Sequence, residues 1–200
     1  MAPKKYTLHA PAGSFRAFKT LIAAEYGGVD VTVAKFDGSV VKKLSPFGRA
    51  PVLETEQGAI TSSNAICRYI SAISPAAGLL GANALERVEV DGWLDFASRE
   101  LELPGSVWIY PVVGHMDFRP EAYARAKEDL AASLAALDAR LAGRTYLVGG
   151  RLTLADIAVA CALVYPFKLV ADPAYLKPHA NVVKWFQNCV KAPEFVNVIG

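Results

Sequence analysis

Hydrophobic positions in the first third of the chain switch from a period of two to a helical period and back. Tyr6–His9 predicts a short strand, and Val29–Val33 alternates as a second strand should. Between them, Ser14 can cap a helix that Gly27-Gly28 ends. Its apolar face carries Phe15, Phe18, Leu21, Ile22 and Tyr26. This order predicts a strand–helix–strand unit.

A hairpin and one further helix complete this part of the chain. Pro51–Glu54 and Ala59–Thr61 read as two strands joined by the turn Glu56-Gln57-Gly58. Asn64–Ile73 then places Ile66, Tyr69, Ile70 and Ile73 on one helical face. The order βαβ followed by ββα predicts a thioredoxin-like α/β domain over residues 1–73.

The remainder of the chain carries only helical patterns. Residues 74–83 are rich in Ser, Pro, Ala and Gly and are interpreted as a linker. Residues 84–200 are predicted to form an all-α domain. The predicted helices are Ala84 to about Gly114 with a kink at Pro104, Pro120 to Leu141, one from Thr153, and Asn181 to Lys191.

One local motif predicts a helix start in the second domain. In Leu152-Thr153-Leu154-Ala155-Asp156-Ile157, Thr153 can cap the helix while Asp156 reaches back to the Thr153 amide. Leu152 and Ile157 are spaced as a hydrophobic staple. A catalytic Asp156 is the competing interpretation. The capping box is favoured, because a carboxylate in the first turn also suits the helix dipole.

Charge and composition exclude several classes of function. A net charge of +2 gives no basic stripe for direct nucleic-acid binding. The start Met1–Lys5 lacks the apolar segment of a signal peptide, and no uncharged run reaches membrane-spanning length, so an intracellular protein is expected. Apolar residues and glycine make up 113 of 200 positions, above the roughly 45–50% of ordinary domains. This excess favours a well-buried helical domain and an apolar interface with a partner.

Cysteine and histidine are too scattered to indicate a disulfide framework or a metal site. Cys67, Cys161 and Cys189 are odd in number, far apart and without a Cys-x-x-Cys pair, so buried core positions are expected. His9, His115 and His179 are equally dispersed. No metal site is predicted.

Residues 48–63 could form a small anion-binding pocket. X-Pro bonds are cis in only about 5–6% of cases, so a trans Ala50-Pro51 bond is expected. If the bond were cis, the backbone of Ala50 or Val52 could pair with an extended peptide ligand. The Ser63 hydroxyl and the first free helix amides could hold an anion, or Ser63 could be an ordinary N-cap. Arg49 could add a positive charge or lie in solvent.

Five segments give the chain a specific resemblance. They are "FRAFKTLIAAEYGG", "SNAICRYIS", "SVWIYPVVG", "YLVGGRLTLADIAVACALVYPFK" and "WFQNCVKAPEF", in this order across nearly the whole chain. They resemble the N-terminal, glutathione-transferase-like domain of the gamma subunit of eukaryotic translation elongation factor 1. The Ser-x-Ala-Ile helix start and the Thr-Leu-Ala-Asp box point only to the wider glutathione transferase superfamily.

The resemblance implies a scaffold in the cytoplasm. In that family the domain anchors the guanine-nucleotide exchange subunit, which reloads the GTP-binding factor that delivers aminoacyl-tRNA. A homodimer is expected by analogy with transferases, without a membrane or direct nucleic-acid partner. The family continues into a charged linker and a second domain, so the chain is expected to be a piece of a longer protein.

The resemblance also implies a ligand site, with departures from the superfamily pattern. Ala50 and Pro51 would face the cysteinyl part of glutathione, and Ser63 would hold the γ-glutamyl carboxylate. Ser62 stands where a glutamate usually contacts the γ-glutamyl end. Losing one charge-assisted hydrogen bond costs roughly 1.5–3 kcal/mol, or about tenfold to a hundredfold in affinity.

The group that would activate a thiol is also displaced. Serine-type relatives carry their hydroxyl at the position of Ala12, and Ser14 lies two residues later. Ser14 is therefore a candidate catalytic residue or a helix cap. No cofactor is required by the scaffold hypothesis, with glutathione as a conceivable ligand. The alternative is an active transferase that uses glutathione or trypanothione.

Overall fold

The computed structural model describes residues 5–200, which divide into two compact units. Residues 1–4, which carry most of the segment used to argue against a signal peptide, lie outside the described residues. The sheet unit comprises the described residues up to Leu80 together with Pro193–Gly200, and the helical unit comprises Gly81–Ala192. The predicted linker at 74–83 therefore spans the division between the units.

The sheet unit contains a four-stranded mixed sheet with the order β2-β1-β3-β4. The strands are β1 (Tyr6–His9), β2 (Val31–Ala34), β3 (Val52–Thr55) and β4 (Gly58–Thr61). β1 runs parallel to β2 and antiparallel to β3, and β3 forms the predicted hairpin with β4. The central strands bury Leu8, Val52 and Leu53 completely, as their apolar pattern predicts.

Four helices surround this sheet. They are α1 (Phe15–Gly27), α2 (Gly38–Leu44), α3 (Ser63–Ile73) and α10 (Pro193–Ile199). α1 packs against α3 and α10. Gly28 ends α1 in a left-handed conformation with φ 61°, so the predicted glycine stop is confirmed. The thioredoxin-like α/β prediction is confirmed as well.

Two helices of the sheet unit were not predicted. α2 spans only seven residues and buries Val41, so it has no long apolar repeat to reveal it. Asp37 caps it by accepting a hydrogen bond from the Ser39 amide at 2.8 Å. Residues 193–199 fall within the predicted helical domain, but they form α10, which packs on α1 and fully buries Phe195. Chain order alone could not place it.

The helical unit contains six α-helices among its described residues. They are α4 (Ala84–Phe96), α5 (Leu103–Ile109), α6 (Pro120–Leu141), α7 (Leu154–Leu169), α8 (Pro173–Leu176) and α9 (Ala180–Val190). Residues Leu154 to Leu163 of α7 are all buried, and this helix packs against α4, α5 and α9. A helix that is apolar on every side belongs at the centre of its domain. The all-α prediction is confirmed.

The predicted kink near Pro104 takes a different form. A π-helical segment, Ala97–Glu102, joins α4 to α5, and Pro104 lies in the first turn of α5. The proline therefore occupies a position where its missing N–H costs nothing. α5 ends at Ile109, earlier than the predicted Gly114. Among residues 5–200, no helix is long and apolar enough to cross a membrane.

Candidate functional site

The strand register brings three of the predicted site segments to one end of the sheet. His9, the last residue of β1, pairs with Val52, the first residue of β3. Val52 also pairs with Thr61, the last residue of β4. The loop that leads to Ser14, the Ala50-Pro51 segment and the start of α3 therefore leave the sheet at the same end. This end is the candidate ligand site.

The Ala50-Pro51 peptide bond is cis, so the expectation of a trans bond was wrong. That expectation used the average over all X-Pro bonds, whereas tertiary context selects the isomer of each one. Pro51 is buried at the entrance to β3. Val52 is already paired with His9 and Thr61, so any pairing with an extended ligand falls to the backbone of Ala50.

The cap of α3 lies one residue earlier than the N-cap alternative for Ser63 predicted. Ser62 is the N-cap of α3, and its carbonyl accepts the first helical bond from Ile66 N at 2.9 Å. Ser63 is the first helical residue, with 8% of its surface exposed. Ser62 has φ 71°, the one positive φ of a residue other than glycine among residues 5–200. Such strain costs roughly 1–3 kcal/mol and occurs often at ligand clamps.

The N-terminus of α3 can stabilise an anion. The first amides of a helix have no partner within the helix, and the helix dipole adds positive potential there. Ser63 supplies a hydroxyl at the same place. Ser62 contributes no side-chain capping bond, and it lacks the negative charge of the glutamate that the superfamily carries there. A carboxylate would therefore fit this helix end, while an ammonium group would lose its counter-charge.

A buried lysine beside α3 was missed by sequence reasoning. Lys19 of α1 is 0% exposed, and its Nζ donates to Asn64 Oδ1 at 2.8 Å. The available signal was its position, since Lys19 lies within the apolar stripe between Phe15 and Ile22. A cation next to the second residue of α3 increases the positive potential at this helix end. It therefore strengthens the case for an anion site.

Ser14 occupies the N-cap position of α1. Its carbonyl accepts bonds from Ala17 N at 2.8 Å and Phe18 N at 3.0 Å, whereas its side chain makes no capping bond. Ala12, at the position of the superfamily hydroxyl, is exposed. Ser14 therefore lies at the predicted N-cap position, although its side chain makes no capping bond. Its catalytic role stays a prediction.

Arg49 lies in the exposed loop that precedes Pro51. Ser45, whose surface is 3% exposed, accepts hydrogen bonds through Oγ from Phe47 N at 3.3 Å and Arg49 N at 3.5 Å. This buried hydroxyl fixes the course of the loop from α2 to β3. The Arg49 side chain is presented to solvent at the same edge as Ala50 and Pro51.

The capping box forms as predicted, in the helical unit. The Thr153 side chain accepts from the third helical amide, and Thr153 N donates to Asp156 Oδ2 at 3.0 Å. Asp156 also accepts bonds from Leu147 N and Trp185 Nε1, both at 2.9 Å. Burial raises the pKa of Asp156, and these hydrogen bonds oppose the rise. These hydrogen bonds give Asp156 a structural role.

The cysteines occupy core positions. Cys67, Cys161 and Cys189 are buried, as their isolated spacing led us to expect. Cys67 Sγ lies 3.4 Å from Thr20 Oγ1, and burial raises the pKa of the Cys189 thiol. A raised pKa disfavours the thiolate, which is the nucleophilic form. Within residues 5–200, no group of three His, Cys, Asp or Glu side chains could hold a metal ion.

Comparison with protein families shows to which family the chain belongs. The family model for the glutathione S-transferase N-terminal domain matches residues 4–72, and that for the C-terminal domain matches residues 106–193. Elongation factor 1-gamma of Artemia salina is 39% identical over 195 residues, covering 94% of this chain and 44% of the relative. The chain belongs to the glutathione S-transferase-like family that includes elongation factor 1-gamma.

Solved structures of this family share the same fold. The glutathione S-transferase-like domain of elongation factor 1-gamma from Saccharomyces cerevisiae matches with a TM-score of 0.85 and 20% identity, covering 100% of this chain and 94% of that one. Glutathione transferase URE2P6 from Phanerochaete chrysosporium, solved with oxidized glutathione, matches with a TM-score of 0.88 and 21% identity, covering 98% and 94%. The chain spans about half the length of the curated elongation factor 1-gamma relatives.

Proposed function

We propose that this chain is the glutathione-transferase-like scaffold domain of a translation elongation factor 1 gamma subunit. In this role it anchors the guanine-nucleotide exchange subunit in the cytoplasm and takes part in protein synthesis. The observation that carries the proposal is 35–39% identity to proteins named elongation factor 1-gamma over almost the whole chain. Solved structures match at about 20% identity whether they are transferases or the elongation factor 1-gamma domain, so they support the fold alone.

The departures at the candidate site support a non-catalytic primary role. A transferase must stabilise a thiolate, which is the attacking species. Ala12 offers no hydroxyl, the Ser14 backbone starts a helix, and Ser62 replaces a carboxylate. Ala12 and Ser62 each lack a group that the superfamily pattern places against the ligand or its thiolate, while the fold stays intact. A domain with these replacements can still bind a protein partner, but it no longer catalyses glutathione transfer.

Co-purification tests the anchoring role. The affinity-tagged chain is expressed in a eukaryotic cell extract, and the retained proteins are identified by mass spectrometry. The exchange subunit is expected in near-equimolar amount, and it should remain bound after nuclease treatment because direct nucleic-acid binding is not expected. Recovery of the chain without that subunit would overturn the anchoring proposal.

An active glutathione or trypanothione S-transferase is the second candidate. It is favoured by the assembly of cis-Pro51, Ser63 and the buried Lys19 around one helix end, which suits a peptide carboxylate. Calorimetric titration with glutathione, run beside a transfer assay, tests it. Turnover that falls at least tenfold in Ser14→Ala supports this candidate, and no heat at millimolar glutathione removes it.

A second copy of the chain is the proposed partner for one surface of the helical unit. An open groove of about 880 Å³ is lined by apolar side chains such as Phe96 and Leu103 and by the charged pair Arg125 and Asp129. Apolar patches with charges of both signs suit a two-fold interface. There, a positive group of one copy can face a negative group of the other. This dimer agrees with the apolar excess of the sequence.

Sedimentation equilibrium tests the dimer with a matched pair of variants. Leu103→Glu places a charge in the groove, and a shift from dimer to monomer is expected. Leu85→Glu is the control, because Leu85 is 72% exposed on α4 and does not line the groove. A wild-type chain that sediments as a monomer would contradict the proposal.

A further inference from the structure

One exposed surface of the sheet unit lies beside the candidate ligand site and shares only Arg49 with it. We define the basic α2 face as Phe36, Lys42, Lys43, Phe47 and Arg49, which lie in α2 and the loops on either side of it. All five side chains are exposed. The face combines three cations with two large aromatic rings.

Positive charge is concentrated around this face. Residues 31–50 carry four cationic side chains, including Lys35, and one carboxylate, so their formal charge is +3. The other 180 residues together carry −1 of the chain's formal charge of +2. A local excess of one sign attracts partners of the opposite sign and speeds their association. The complement of this face is an acidic partner.

The one carboxylate in this segment is already engaged. Asp37 accepts from the Ser39 amide at 2.8 Å and caps α2. The Ser39 hydrogen bonds lower the pKa of Asp37, and Lys43 contributes to this lowering. Asp30 lies at the opposite end of β2, where it lines a cleft with Glu25 and Asn197. Neither acid covers Lys42 or Arg49.

Local packing places Lys42 beside the loop that carries Phe47 and Arg49. A methyl group built on Gly48 would lie 3.7 Å from Lys42 Cγ, so the Lys42 stem runs along the loop between Phe47 and Arg49. The buried Ser45 hydroxyl holds that loop through the Phe47 and Arg49 amides. The backbone of this loop is therefore held by internal hydrogen bonds before any partner binds, which lowers the entropy cost of binding.

The aromatic residues add an apolar component. Phe47 is 71% exposed and Phe36 is 45% exposed. Aromatic side chains are enriched in protein interfaces, where they act as anchors that exclude water from nearby polar contacts. β2, which leads into this face, lies at the edge of the sheet and has Val33 49% exposed. An extended peptide can add to such an edge.

We propose that the basic α2 face binds an acidic polypeptide segment that carries an aromatic or aliphatic side chain among its carboxylates. The cations hold the carboxylates, and Phe36 and Phe47 contact the apolar side chain. A polypeptide is favoured over RNA because the cationic area is small and the rest of the chain is net negative. Nucleic-acid binding rests on contacts to many phosphates along an extended surface. This inference does not depend on the proposed scaffold role.

Fluorescence anisotropy with the full 200-residue chain tests the proposal. The probe is a labelled dodecapeptide of glutamate and aspartate with one central phenylalanine. Lys42→Glu/Lys43→Glu should weaken binding by about tenfold or more, because two attractions become repulsions. The control is Lys184→Glu/Lys191→Glu, two exposed lysines of the helical unit that change the net charge equally. It should bind within about twofold of the wild type.

A second variant measures the contribution of the aromatic side chain to peptide binding separately from that of charge. Phe47→Ser should weaken binding severalfold while the dependence on salt stays the same, since no charge is removed. Lys42→Arg/Lys43→Arg keeps both charges and should bind like the wild type, which would show that positive charge rather than the lysine side chain itself is required.

Three results would overturn the proposal. The first is equal weakening by the two double variants, which would mean that net charge alone governs binding. The second is the absence of saturable peptide binding at low salt. The third is tighter binding of a single-stranded RNA of the same length with the same sensitivity to Lys42 and Lys43, which would make this a nucleic-acid surface.

Discussion

Asp156 shows how a single residue can be read as catalytic or structural, and how its partners decide between the two. Its carboxylate accepts four hydrogen bonds, from Leu147 N, Thr153 N, Thr153 Oγ1 and Trp185 Nε1. These donors lie on the loop before α7, at its N-cap and on α9. One buried carboxylate therefore links three separate parts of the helical unit. The sequence predicted the capping partner but not the distant indole.

Removing this carboxylate should strongly destabilise the helical unit. Asp156→Ala leaves several buried donors without an acceptor, so we expect a loss of about 3–5 kcal/mol in the free energy of unfolding. Asp156→Asn keeps one oxygen and should lose about half as much. Urea unfolding followed by tryptophan fluorescence measures both. The matched control is Asp172→Ala, an exposed cap of α8, which should cost about 1 kcal/mol or less. Equal losses at the two sites would contradict this account.

Lys19 provides a second test at the residue scale. Lys19→Ala removes a completely buried aliphatic stem, so a loss of about 2–4 kcal/mol is expected. Lys19→Met keeps a stem of similar length and should cost less than about 1.5 kcal/mol. Thermal and urea unfolding of the two variants give the comparison. If Lys19→Met is as unstable as Lys19→Ala, then the bond to Asn64 outweighs the packing of the stem.

At the scale of elements, long periodic segments were predicted and short ones were not. α1, α3 and α6 carry apolar residues at helical spacing, and each appears where that spacing placed it. α2 has seven residues, too few for a repeat, and is fixed by the Asp37 cap and by burial of Val41. The π-helical segment before α5 and the packing of α10 on α1 depend on neighbours that are distant in sequence.

The candidate site was predictable in its positions but not in its details. Register places the segments of Ser14, Pro51 and Ser63 at one sheet end, as a strand and hairpin pattern allows. The cis bond before Pro51 and the positive φ of Ser62 are set by tertiary context, which no local pattern records. The burial of Lys19 was not predictable from its residue type, because lysine side chains are rarely buried.

The capping of α2 should depend on pH. Asp37 has a lowered pKa in the folded chain, chiefly because of its hydrogen bonds with Ser39. Its contribution to stability is therefore present above the unfolded value near 3.8 and is lost as the pH falls through the lower folded value. Amide exchange across α2 should accelerate in Asp37→Ala at neutral pH, and the difference from wild type should vanish in acid.

A non-titrating variant provides the control for this pH effect. Asp37→Asn keeps a capping oxygen, so α2 should stay protected, without a titration step at the Ser39 amide. Nuclear magnetic resonance titration of the Ser39 amide proton in the two chains measures this step. A wild-type midpoint above the ordinary aspartate value would contradict a lowered pKa at Asp37.

At the scale of the whole molecule, the chain combines a transferase fold with the sequence of a translation factor family. Identity is 35–39% with curated elongation factor 1-gamma proteins, whereas solved structures that share the fold match at about 20%, transferases and the elongation factor 1-gamma domain alike. At the candidate site, Pro51 and Ser63 match the superfamily pattern that the resemblance implies, while Ala12 and Ser62 depart from it. These features support the proposed binding of a protein partner, which remains to be tested by experiment.

The most direct test of the scaffold account is calorimetric titration of the purified chain with the purified exchange subunit of elongation factor 1. We predict a saturable one-to-one complex with a Kd on the order of micromolar or tighter, unchanged by excess glutathione. The account would be contradicted if no complex forms while the same preparation transfers glutathione to an electrophilic acceptor.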